Sequence, residues 1–85
     1  MDYTIEFSLE FEKSMKKLKK RDLLLFRQIQ NKLIELIQNP EHFKPLKNIF
    51  AGYRRIHFGS FVLIYKIEGN VVYIISLEHH DKAYS

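Results

Sequence analysis

The chain has no cysteine, so a disulfide framework and a thiolate metal site are both excluded. It holds only three glycines and two prolines among 85 residues, and 46% of its residues are hydrophobic. That composition excludes a low-complexity or disordered polymer and predicts a folded chain. Long apolar runs are missing too: each hydrophobic stretch is interrupted by charge well short of the ~20 residues a membrane span needs. The start, Met1-Asp2-Tyr3-Thr4, has no basic segment leading into an apolar stretch, so no signal peptide is expected and the cytoplasm is the expected location. Repeats, low-complexity tracts and linkers are absent, which predicts a single domain over residues 1–85. Acidic residues are in the minority, 10 against 14 Lys and Arg, for a net charge of +4. The surplus favours a polyanionic partner.

What is present has a clear order. Tyr3-Thr4-Ile5-Glu6-Phe7 alternates apolar and polar residues as a half-buried strand does, and Ser8 with Glu10 and Glu12 behind it starts a helix. Phe11, Met15 and Leu18 form that helix's inward stripe, while Lys13, Lys16, Lys17, Lys19, Lys20 and Arg21 project elsewhere. Asp22 caps a second helix, with Phe26, Ile29, Leu33, Leu36 and Ile37 at helical spacing until Asn39-Pro40 stops it. Residues 41–47 read as a surface loop. From Tyr53 the residues are β-branched or aromatic, and Gly59-Ser60 and Gly69-Asn70 suit two-residue hairpin turns, so three antiparallel strands form a meander. The predicted fold is α+β: an N-terminal strand and a two-helix antiparallel hairpin packed on one face of a mainly antiparallel four-stranded sheet.

Two-residue loops set a register. Arg55 lies opposite Ile64, His57 opposite Val62, Ile64 opposite Ile75, and Val62 opposite Leu77. Ile56, Phe58, Phe61, Leu63, Tyr65, Ile67, Val72 and Ile74 then face the helices. The other face carries Arg55, His57 and His79 around an apolar floor of Val62, Ile64, Ile75 and Leu77. A bulge near Gly59 would instead send Arg54 to that face.

Arg54-Arg55-Ile56-His57 places three cationic or titratable groups in an apolar strand, which favours either an anion held outside or a charge pair with Glu68 or Glu78. Arginine's planar fork suits bidentate phosphate contact. His79-His80-Asp81 contains metal-ligating residue types, yet adjacent strand residues point to opposite faces and no second histidine pair completes a ligand set, so no metal is expected. Acid/base chemistry suits these histidines better. Tyr84 is either a loose terminal aromatic or a group that stacks on a base or bonds a phosphate. The lysines of the first helix are either an ordinary solvated face or a surface that follows phosphates, Lys13, Lys16, Lys17 and Lys20 above all.

Three segments together carry a family likeness: Leu46-Lys47; Gly52-Tyr53-Arg54-Arg55-Ile56-His57-Phe58-Gly59-Ser60-Phe61-Val62-Leu63-Ile64-Tyr65; and Glu78-His79-His80-Asp81-Lys82-Ala83-Tyr84. With the strand and basic helix hairpin before them, they make nearly the whole chain resemble the RelE/ParE superfamily of toxins from prokaryotic toxin-antitoxin pairs, in its RelE-like branch. The resemblance implies a metal-independent endoribonuclease without cofactor that cleaves messenger RNA on the ribosome, inhibits translation, and is held inactive in a heteromeric complex with a cognate antitoxin. It carries catalytic roles to Arg54, Arg55, His57, His79, His80 and Tyr84, and adds Lys47 to the RNA- and ribosome-binding lysines. The apolar floor of Val62, Ile64, Ile75 and Leu77 becomes the expected antitoxin-binding surface. Val62 stands where many RelE members have an arginine. The alternatives implied are a ParE-like gyrase inhibitor, and a catalytically weak protein acting mainly in an antitoxin complex that regulates its own operon.

Overall fold

A computed structural model describes residues 2–45 and 52–79. Strand β1, Thr4–Phe7, passes directly into helix α1, Leu9–Arg21. Ser8 makes the change of direction: its backbone is extended, and its hydroxyl oxygen accepts from the Phe11 N–H at 3.0 Å, satisfying one of the helix's orphan donors. Glu10 and Glu12 in the first turn and Lys19, Lys20 and Arg21 in the last complement the helix dipole. One residue, Asp22, joins the helices. Its N–H donates to the Leu18 carbonyl at 2.8 Å, and its carboxylate accepts from the Leu25 N–H at 3.1 Å, so it closes α1 and caps α2, Leu23–Gln38. Asn39 and Pro40 end α2 as expected.

Five strands form one sheet in the order β1-β5-β4-β3-β2, with β2 Lys44–Pro45, β3 Tyr53–Phe58, β4 Phe61–Glu68 and β5 Val71–His79. The β2–β3, β3–β4 and β4–β5 pairings are antiparallel, the last two as the meander predicts; β1 runs parallel to β5, with Phe7 beside Ile74. The short β2 lies inside the stretch read as loop. A proline is tolerated there because β2 is an edge strand. Gly59 and Gly69 take φ of 56° and 60°, the left-handed conformation that the two-residue turns between Phe58 and Phe61 and between Glu68 and Val71 require.

Phe11 of α1, Ile29 and Leu36 of α2, and Ile56, Leu63, Tyr65, Val72 and Ile74 of the sheet make the core, the face expected to receive the helices. Tyr65 is fully buried and its hydroxyl donates to the Pro40 carbonyl at 2.5 Å. Burial pushes this phenol well above its ordinary value, and the nearby Arg54 cation opposes the shift.

The register departs from expectation at one residue. Arg55 pairs with Ile64 and His57 with Val62, as predicted. Between β4 and β5 the turn-side half also holds, down to Tyr65 opposite Ile74, but Ile64 then pairs with Ser76 and Val62 with Glu78. Ile75 is therefore an extra residue, a β-bulge. Its carbonyl accepts the Ser8 hydroxyl at 2.5 Å, while the Ser8 N–H donates to the Ile74 carbonyl at 3.0 Å. The residue that caps α1 thus also supplies the bond that a bulged strand needs, and β5 beyond Ile75 is turned over by one position.

Candidate nucleic-acid interface

The face turned away from the helices is built in cross-strand rows. One row runs Arg55, Ile64, Ser76; the next, nearer the β3–β4 turn, runs His57, Val62, Glu78. On the other side of the first row come Tyr53, Lys66, Tyr73 and Glu6. Arg55 and His57 share this face because the β3–β4 loop has two residues and no bulge. Arg55 is half-buried, with its Nε in the interior, whereas His57 is exposed. Strand spacing puts the His57 and Glu78 backbones about 10 Å apart across Val62, with Arg55 about 7 Å along the strand from His57. A phosphodiester fits between an acid/base pair at that separation, with a planar cation to one side. Lys66 is tied to Glu68 at 2.6 Å and lies 5.6 Å from the Tyr73 ring centre; the Glu68 hydrogen bond raises its ammonium above the ordinary value, so it stays charged.

The bulge changes the membership of this face. Glu78, to which the sequence gives no catalytic role, joins it, and His79 leaves it: His79 pairs with Phe61 on the helix side, ring centres 5.6 Å apart and edge to face. Leu77 also turns to the helix side and packs on the core. Val62 has no exposed surface. The expected four-residue apolar floor is thereby reduced to Ile64 and Ile75, both half-buried. No local feature of Leu63-Ile64-Tyr65 or Ile74-Ile75-Ser76 announces the bulge.

Arg54 is a second correction. It pairs with Tyr65 on the helix side, where its Nη1 donates to the Phe43 carbonyl at 2.8 Å and to the Glu41 carbonyl at 3.2 Å. Together with Tyr65 and Pro40 it pins the α2–β2 connection to the sheet. Its guanidinium is committed to structure.

Lys13, Lys16, Lys17 and Lys20 are all exposed and line one depression on α1. The sheet lies between them and Arg55, so the basic surface of α1 and that of Arg55 are separate. Lys47, His80 and Tyr84 lie outside the described residues. Among the described residues no three His, Asp or Glu side chains come together. No helix there is long and apolar enough to cross a membrane.

Residues 5–84 match the family model described as ParE toxin of type II toxin-antitoxin system, parDE. The chain is similar to a Methanocaldococcus jannaschii protein named as toxin RelE4, 35% identical over 85 residues that cover 96% of this chain and 90% of that one. Among solved structures, a YoeB/ParE toxin from Agrobacterium tumefaciens superposes with a TM-score of 0.82 at 17% identity, covering 91% of this chain and 98% of that one. A chain of the toxin-antitoxin complex RelBE2 from Mycobacterium tuberculosis superposes with a TM-score of 0.76 at 24% identity, covering 93% and 99%.

Proposed function

The chain belongs to the ParE-type toxin family of type II toxin-antitoxin systems, and we propose that within it this protein is a ribosome-dependent, metal-independent endoribonuclease that cuts messenger RNA and so stops translation. One observation carries the reading: Arg55, His57 and Glu78 share one sheet face, a guanidinium beside two groups able to move protons. The reaction asks for such a set. A base removes the ribose 2′-OH proton, the oxygen attacks phosphorus, charge builds on the non-bridging oxygens, and an acid protonates the departing 5′-oxygen. Arg55 stabilises the developing charge through a bidentate contact that lysine cannot reproduce. Glu78 suits the base role and His57 the acid role; His80 and Tyr84, carried over from the family likeness, complete the site. Lys13, Lys16, Lys17, Lys20 and Lys47 bind ribosomal RNA.

A cognate antitoxin is the regulating partner. The apolar surface available to it is the groove of Phe7, Phe11, Met15, Phe26 and Leu33 along the helix hairpin, where Phe7 stays 43% exposed although it stacks on Phe11. An amphipathic antitoxin helix laid along this groove would cover the Phe7 ring. Primer extension on messages from cells expressing the chain without its antitoxin tests the activity: new 5′ ends within reading frames support it. Intact messages with a supercoiling defect identify the gyrase-inhibiting reading, which the ParE family match favours.

A further inference from the structure

The rim of the sheet where β3 ends, β4 begins and β5 ends holds a second feature. One position beyond the His57, Val62, Glu78 row lies the row Phe58, Phe61, His79, pointing to the helix side. Helix α1 brings Ser14, Lys17, Leu18 and Arg21, one turn apart, against the same place, and with Phe61 and Leu77 they line a cavity of about 210 Å³. Its floor is apolar, from Leu18, Phe61 and Leu77. Its rim is a hydroxyl, an ammonium and a guanidinium, and no carboxylate lines it. The bulge at Ile75 brings His79 to this side, where its ring meets the Phe61 edge.

We propose that this cavity is a nucleotide subsite for single-stranded RNA outside the catalytic face: a base stacks at Phe61 while its phosphate bonds Lys17 and Arg21. An aromatic floor beside clustered cations is the arrangement that holds unpaired nucleotides without reading sequence. Continuity favours RNA over an acidic peptide. The His57 row and the Phe61 row are the last two at this rim and point to opposite faces, so an RNA chain rounding the rim would pass from His57 on one face to Phe61 on the other. The subsite also joins the two basic surfaces that the sheet otherwise separates. The proposal takes RNA as the ligand of the Arg55 face, but its test reads binding rather than cleavage.

The test is fluorescence anisotropy of a labelled short oligouridine with the full chain across a salt series. Lys17→Gln with Arg21→Gln should weaken binding at least tenfold and reduce the slope of log affinity against log salt by about 0.7, the value for one lost phosphate contact on a single strand. Phe61→Leu should weaken binding about fivefold or more and leave the slope unchanged. The control, Lys13→Gln with Lys20→Gln, removes the same charge from the helix without touching the cavity, and should leave the Phe61 effect intact. Equal losses from the two charge pairs with no effect of Phe61→Leu would overturn the subsite. If Phe61→Leu does not fold by circular dichroism, photocrosslinking of a 5-bromouridine oligonucleotide to the unmodified chain decides: crosslinks in the peptides holding Phe61 or His79 support the proposal, and crosslinks confined to Tyr53 and Tyr73 refute it. Binding that depends on Phe61 in a chain that cuts no message would remove the nuclease reading and keep the subsite. Binding of polyglutamate that depends on Lys17 and Arg21, with RNA affinity indifferent to them, would make the cavity a protein site and end the proposal.

Discussion

Arg54 and Arg55 are adjacent in sequence and point to opposite faces of the sheet, so replacing each by alanine should separate stability from activity. Arg54 donates one short, partly buried hydrogen bond to Phe43 and a longer one to Glu41. A bond from a charged donor contributes roughly 1.5–3 kcal/mol, and its loss leaves a carbonyl facing a void, so Arg54→Ala should cost on the order of 3 kcal/mol. For a domain of this size that lowers Tm by roughly 12–24 °C. Arg55→Ala, whose side chain is half-buried, should lower Tm by less than Arg54→Ala does and lower RNA cleavage about a hundredfold or more, the usual effect of removing a preorganised cation from a developing dianion. The assay is thermal denaturation by circular dichroism, together with growth of cells expressing each variant at a temperature where both remain folded. An Arg54→Ala protein that melts like the unmodified chain yet has lost toxicity would refute the division, because Arg54 would then face the substrate.

Three further outcomes follow from the same contacts. Ser8→Ala removes the α1 cap and the donor to the bulged Ile75 carbonyl together; a loss of about 2 kcal/mol, read as a Tm lower by roughly 10 °C, is expected. Tyr65→Phe should be about 1 kcal/mol less stable at neutral pH, from the bond lost to Pro40. Because burial raises the folded-state pKa of Tyr65, its contribution is fully present below pH ~10, where the unfolded phenol begins to ionise, and is lost as pH rises beyond; at about 1.4 kcal/mol per pH unit, the gap between the two proteins in urea titrations should close within about one unit above pH ~10 and then reverse. Val62→Arg, attractive from the family pattern alone, puts a charge where the side chain has no exposed surface, so a Tm lower by well over 10 °C and reduced soluble yield are expected in place of a gain in activity.

Local rules made the helices and their limits readable: Ser8 and Asp22 can cap, Asn39-Pro40 cannot continue a helix, and the glycine turns set the β3–β4 pairing that puts Arg55 and His57 on one face. The bulge was hidden because its cause is non-local. Ile75 is held by Ser8, 67 positions away in sequence, and apolar residues on both sides of Ile75 give a shifted register the same pattern as an unshifted one. That one residue decides that Glu78, and not His79, stands beside His57. Arg54 was misread for a related reason. Its partners are carbonyls of Glu41 and Phe43, and any residue supplies a carbonyl, so nothing in their identity marks them as ligands for a guanidinium.

If the Arg55 face cleaves RNA by attack of the RNA's own 2′-OH on the adjacent phosphate, the chemistry of the new ends records it. Purified chain is added to ribosomes programmed with a defined message, and the fragments are analysed for their termini. In-frame cuts with a 5′-hydroxyl on the downstream fragment and a 2′,3′-cyclic phosphate on the upstream one, lost in Arg55→Ala, are the expected result. Cuts bearing 5′-phosphates, or an Arg55→Ala protein that cuts as well as the unmodified chain, would contradict it.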